Sequence, residues 1–277
     1  MKVYSPEGSY PAPIGEPQDG ASSVRKPVLI VALGRGRVGK TVFLNSVAQF
    51  YRPRGARLEI WNIDHHNNKH SLNSFFPDVR VPPGFQPLSC QRWLEAQIQD
   101  QQAKGYDVVL DVGGNDTMIK KMALDADLAA TLEAAGIRAV GVHVIGPDPA
   151  DLEYLRQVAD NKLFVPEATL IGLNGGLVPD GLAVGPAFAH VFNDPVVKSV
   201  IESGGVTVTM PGLESMQEVV EREMTFGDAV SRGYKTEGNP LKMFDRARTK
   251  KWWTLRMPEF FADIPPLWMP HLPEAGE

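Results

Sequence analysis

VLIVALGRGRVGKTVFLNSVAQFY, residues 28–51, decides the fold. Its first part, VLIVALG (28–34), is an unbroken apolar run of strand length, and the part from Lys40 to about Tyr51 carries a helical pattern. Between them GRGRVGKT (34–41) satisfies G-x-x-x-x-G-K-[ST], with Gly34, Gly39, Lys40 and Thr41 at the required places. Strand, glycine-rich loop and helix in this order build a cradle for phosphate. Successive backbone N–H groups of Gly34, Gly36, Arg37, Val38, Gly39, Lys40, Thr41 and Val42 form a nest, and the following helix directs its positive end at the anion. Lys40 is expected to reach the β and γ phosphates, and the Thr41 hydroxyl to ligate Mg²⁺.

Outward from this loop the chain keeps one rhythm. Apolar runs at 57–63, 106–112, 137–145, 168–174 and 206–210 alternate with helical stretches around 91–103, over 117–135, after the turn 146–151, near 194–203 and over 213–232. The runs are apolar throughout, as strands are when helices cover both faces of a parallel sheet. The expected fold is therefore α/β, a mostly parallel twisted sheet with helices on both faces. Residues 1–26, with four prolines and three glycines, read as a flexible leader, 27–235 as the nucleotide-binding domain, and 236–277 as an extended tail rich in proline and tryptophan.

Composition narrows the function. The chain has 277 residues, 28 Lys+Arg against 33 Asp+Glu, and a formal charge of −5, so nucleic acid can be met only through a local basic patch. A lone cysteine, Cys90, excludes an internal disulfide and a four-cysteine metal site, and fits a cytoplasmic setting. No apolar run approaches the roughly 18 residues of a membrane span.

The segment RGRVGKT (35–41) resembles the deviant phosphate loop KGGxGK[ST] of the ParA/MinD class of P-loop ATPases, which includes proteins of plasmid partition, conjugation and stability. The resemblance extends over about residues 27–232. It implies ATP and Mg²⁺ as cofactors and an ATP-dependent homodimer in which Arg35, standing where the class has lysine, reaches the partner's nucleotide. Arg37 replaces a glycine of the class; if that position needs φ > 0, a side chain there is strained.

P-loop chemistry also needs carboxylates at neighbouring strand ends. NIDHHNNKHSL (62–72) resembles the D-x-D switch segment of the class, with Asp64 at the water-orienting position and Asn62 in place of the first Asp. YDVVLDVGGND (106–116) resembles the Walker B strand, whose Asp111 is expected to hold Mg²⁺, with Gly113 and Gly114 as a mobile turn. His65, His66 and His70 lack the H-E-x-x-H pattern and read as a solvated loop or a partner contact rather than a metal site. By the same resemblance Asn174, Pro211 and Gly212 border the nucleotide base. ATP rests on the resemblance alone, since no N-K-x-D guanine motif is present.

In the tail, RARTKKWWTLR (246–256) carries five cations beside a Trp pair. It suits phosphate-backbone contact, or else Trp252, Trp253 and Trp268 pack on the body while the cations stay in solvent. Pro258, Pro265 and Pro266 argue against a long amphipathic helix there, so a membrane fits less well than nonspecific DNA or a partition or transfer protein. The reading that follows is a Mg²⁺-dependent ATPase switch that positions or stabilises a plasmid or its transfer machinery, with Lys40, Asp64 and Arg35 catalytic and Thr41 and Asp111 on the metal. The alternatives are a nucleotide-gated adaptor with negligible turnover, or a small-molecule ligase or kinase on the same fold.

Overall fold

The computed structural model describes residues 25–64, 71–84, 86–113, 117–161, 163–232 and 240–273. Residues 1–24, the three histidines 65, 66 and 70, and Gly114 lie outside the described residues. Six strands form one sheet: β1 (Val28–Leu33), β2 (Leu58–Asn62), β3 (Asp107–Asp111), β4 (Arg138–Ile145), β5 (Ala168–Asn174) and β6 (Val206–Met210). Their order is β2-β3-β1-β4-β5-β6, and every neighbouring pair is parallel. Each strand lies within one residue, at either end, of the run that predicts it.

The helices are α1 (Lys40–Tyr51), α2 (Leu72–Phe75), α3 (Pro87–Lys104), α4 (Thr117–Ala126), α5 (Leu128–Ala134), α6 (Leu152–Asp160), α7 (Val184–Ala187), α8 (Ala189–Asn193), α9 (Pro195–Glu202), α10 (Met216–Glu221), α11 (Phe226–Ser231), α12 (Met243–Lys251) and α13 (Met257–Ala262). None is long and apolar enough to cross a membrane. The single helix expected over 117–135 is two: Asp127, at φ 43, leaves helical geometry and caps the second helix by accepting from the Ala130 N–H.

Alternate residues of each strand serve opposite faces. On one face Val28, Ile30 and Ala32 of β1 join Val140, Val142 and Val144 of β4 beneath Phe43, Leu44 and Val47 of α1. On the other Leu29, Val31 and Leu33 pack with Leu94 of α3, Ile119 and Met122 of α4 and Val158 of α6. Both faces are covered, which is why the strands read as unbroken apolar runs.

The tail departs from expectation. Residues 243–262 form a nearly continuous helix in which α12 and α13 are joined by a π turn over Trp252–Arg256. Pro258 lacks an N–H and its ring crowds the carbonyl four residues back, at Thr254; the widened turn accommodates both defects. The segment is also part of the core rather than an extended tail beside it. Trp252, Met257, Phe260, Phe261, Ile264 and Met269 are buried in the same cluster as α1. Phe260 meets Phe43 edge-on at 6.3 Å, and Phe261 lies 4.5 Å from Phe50.

Asp107, at the start of β3, ties the two ends of the described chain together. Its carboxylate accepts from the Val28 N–H at 2.9 Å and the His271 N–H at 2.6 Å, with the Arg25 guanidinium 3.6 Å away. Burial pushes its pKa up to about 6, against the opposing pull of the Val28 N–H and Arg25. A carboxyl held above its unfolded value binds the proton more tightly when folded, so this group's contribution is greatest below about pH 4 and is lost as pH rises through about 6. Relative to Asp107→Asn, the parent chain should therefore lose up to about 3 kcal/mol of unfolding free energy between pH 4 and 7. Urea titrations of both proteins at the two pH values test this; parallel pH profiles would contradict it.

Candidate functional site

The loop between β1 and α1 sits at the carboxyl end of the strand where the sheet order reverses, the place where open α/β sheets bind ligands. Gly39 has φ 104, and a Cβ there would lie 2.4 Å from Asn174 Nδ2, so glycine is obligatory on two counts. The expectation about Arg37 also holds. It sits at φ 69, in the left-handed region, at a cost of roughly 1–2 kcal/mol that a glycine would not incur.

Lys40 opens α1 and is buried, its ammonium donating to the carbonyls of Gly34 at 3.0 Å and Arg35 at 2.8 Å. It thus curls back over the loop instead of pointing to solvent. No side chain caps α1 at Gly39 and no acid occupies the first turn, so the positive helix end faces the loop without a built-in anion. Val42, two residues further in, packs against the core under α1.

Beside Lys40 the Thr41 hydroxyl donates to Asp111 Oδ2 at 2.7 Å. Asp111 ends β3, which pairs directly with β1, so the two side chains meet because their strands are neighbours. Its other oxygen accepts from the Gly113 N–H at 3.2 Å. Burial pushes the Asp111 carboxyl up; the Thr41 and Gly113 hydrogen bonds pull it down, the nearby Asp64 charge raises it, and the Lys40 charge lowers it. A buried carboxylate against a hydroxyl, both hard oxygen donors, would suit one divalent cation. Among the described residues no cluster of three or more His, Cys, Asp or Glu side chains offers a metal cage.

Asp64 follows β2 and is held from behind: its N–H donates to Asn62 Oδ1 at 2.9 Å, and the Asn62 amide donates to Asn73 at 2.6 Å. Asn62 therefore anchors the segment through its side chain where the resembled class has a carboxylate. The Asp64 side chain lies against Gly113, where a Cβ would approach its Cγ to 2.6 Å. Both candidate carboxylates thus meet at one turn, and that turn requires glycine at φ 71.

Arg35 is placed within its own chain. Its guanidinium is 3.1 Å from Asp151 and 3.8 Å from Asp148, and it is half exposed. Asp151 is buried and also accepts from the Gly146 N–H at 3.1 Å, so it is fixed in place. Sequence reasoning reads GPDPAD (146–151) only as a turn; nothing in its spacing shows that its acids face the loop of another strand.

Asn174 lies beneath the loop. Its amide donates to the Val38 carbonyl at 2.8 Å and its oxygen accepts from the Gly176 N–H at 3.0 Å, so both ends hold backbone and the side chain positions the phosphate loop. Pro211 and Gly212 stand one loop further out. Gly212 is pressed against Gly175 and Gly176, and the Pro211 carbonyl accepts from Trp252 Nε1 at 2.7 Å. Cavities of about 690 Å³ beside Phe164 and Val200, and about 720 Å³ beside Arg57 and Arg80, open at the amino ends of the strands, away from Lys40.

No protein-family model matches the chain, and no curated protein matches it. Among solved structures it is similar to chloroplast FtsY from Physcomitrella patens at 15% identity and a TM-score of 0.46, covering 81% of this chain and 65% of that one, just under two thirds of its length. It is similar to the MinD cell division protein of Aquifex aeolicus at 10% identity and TM-score 0.40, covering 84% of this chain and 97% of that one. It is also similar to the signal recognition particle receptor FtsY from Elizabethkingia anophelis at 14% identity and TM-score 0.41, covering 86% of this chain and 68% of that one.

Proposed function

We propose that the chain is a Mg²⁺-dependent nucleotide switch that binds and hydrolyses ATP and dimerises in its triphosphate form. The observation that carries this reading is the convergence of Lys40, the Thr41–Asp111 pair and Asp64 around one glycine-bounded loop. Thr41 and Asp111 are the residues that would hold Mg²⁺, which when bound neutralises charge on the β and γ phosphates. Lys40 exchanges its two carbonyl partners for phosphate oxygens, and Asp64 orients the attacking water. ATP rather than GTP, and a role in positioning or stabilising a plasmid or its transfer machinery, rest on the ParA/MinD resemblance of residues 35–41.

Arg35 gives the switch its test. To reach a partner's nucleotide it must leave Asp151 and Asp148, so the monomer holds the cation in reserve. Sedimentation with Mg²⁺ and ATP, a nonhydrolysable analogue or ADP should show a dimer with the triphosphates only, and Arg35→Ala should abolish it. One oligomeric state in every nucleotide would rule out the dimerisation switch. The second reading, an adaptor that binds nucleotide with negligible turnover, is favoured by the strained Arg37 and by Asn62 in place of a carboxylate. Nucleotide binding without phosphate release would select it.

A further inference from the structure

The π turn does more than house a proline. An α-helix advances about 100° per residue, so Arg256 would stand about 80° around from Arg248 on a regular helix. The π turn over Trp252–Arg256 advances less per residue and brings Arg256 back toward the face of Arg248. Arg248, Lys251 and Arg256 then line one cleft of about 110 Å³ with Trp252, Gly212, Leu213 and the acid Glu214.

The cleft is rigidly built. Trp252 Nε1 holds the Pro211 carbonyl at 2.7 Å, and Ser215 Oγ reaches Thr249 Oγ1 at 3.0 Å and the Asp245 carbonyl at 3.3 Å. Arg248 is oriented by Glu214 at 3.0 Å and Asp245 at 3.1 Å. Lys251 and Arg256 have no carboxylate within ion-pair distance among the described residues, so within the lining of the cleft Glu214 alone sets a negative charge against three cations. Its opposite wall, Gly212, packs on Gly175 and Gly176, which adjoin the Asn174 that holds the phosphate loop.

We propose that this cleft is a second phosphate-binding site, separate from the loop at Lys40, taking a phosphate oxyanion between Lys251 and Arg256. Two cations with no ion-pair partner among the described residues, a third held in place by Glu214 and Asp245, and a cavity of small-anion size suit that chemistry. The phosphate can come from a free anion or from a nucleic-acid backbone, and the experiment separates these.

The intact chain, with Mg²⁺ and excess ADP filling the nucleotide loop, is titrated with inorganic pyrophosphate and, separately, with a labelled 24-base-pair duplex. Tryptophan fluorescence reports the first through Trp252, and anisotropy the second. Quenching by pyrophosphate identifies a small-anion site; binding of the duplex alone identifies a phosphodiester site; either supports the proposal if Lys251→Gln with Arg256→Gln weakens it about tenfold or more. For the duplex, the slope of log K against log salt should also fall by about two. Both residues are exposed, so the double variant keeps the fold. No binding of either probe, or binding that the double variant leaves unchanged, overturns the site. Neither outcome bears on nucleotide-dependent dimerisation, which is read by sedimentation.

Discussion

Lys40→Ala should lower nucleotide turnover by roughly 10²–10³-fold and weaken triphosphate binding with it, the loss expected when one pre-organised charge donor leaves a phosphoryl-transfer site. The lysine is buried at the first position of α1 and its ammonium bridges the carbonyls of Gly34 and Arg35. Its removal takes away both the charge proposed to meet the phosphates and the tie that shapes the loop. Asp64→Asn supplies the contrast. That side chain lies against the Gly113 turn, at the position proposed to orient water, so triphosphate binding should persist while phosphate release falls. Equilibrium binding of a fluorescent ATP analogue together with a phosphate-release assay separates the two patterns. Turnover within twofold of the parent in Lys40→Ala would remove the loop from the chemistry.

How much of this the sequence discloses depends on the range of the interactions involved. The six strands are legible because burial on both faces demands unbroken apolar runs, and the phosphate loop because its chemistry demands a fixed local spacing. Thr41 and Asp111 are legible as candidates, but their 2.7 Å contact depends on β3 lying next to β1, a choice of strand order that no local pattern encodes. The ion pair of Arg35 with Asp151 spans 116 residues and is invisible for the same reason. Asn174 shows a subtler limit. Its position after β5 is readable, whereas its use, holding Val38 and Gly176 instead of reaching outward, depends on the depth at which the strand ends beneath the loop. Residues 243–262 mislead in one respect, because proline is read as a helix breaker; of the two readings of the basic string, the one in which Trp252, Trp253 and Trp268 pack on the body is the one the fold adopts. A single π turn satisfies the proline and lets the aromatic side chains face inward while the cations stay outside.

Trp252→Ala should destabilise the fold by about 3–5 kcal/mol, the cost of emptying a fully packed aromatic position. The indole is 2% exposed, lies 4.9 Å from Phe226 and 6.0 Å from Trp253, and its Nε1 satisfies the Pro211 carbonyl. Truncation leaves a cavity in the cluster that supports α1 and deprives that carbonyl of its donor. Trp252→Phe keeps most of the packing and loses mainly the hydrogen bond, so it should cost only about 1–2 kcal/mol beyond the smaller ring. Urea unfolding followed by far-ultraviolet circular dichroism measures both. Cooperativity distinguishes the cases: if 243–269 were an appendage, its indole could be removed with little change in the main transition. Because Phe260 and Phe261 rest on Phe43 and Phe50 of the phosphate-loop helix, the loss should appear as a single transition at lower urea. A main transition moved by less than about 1 kcal/mol would show that the C-terminal helix is dispensable to the core. A loss near the expected value means that the helix carrying Lys40 and Thr41 depends on it.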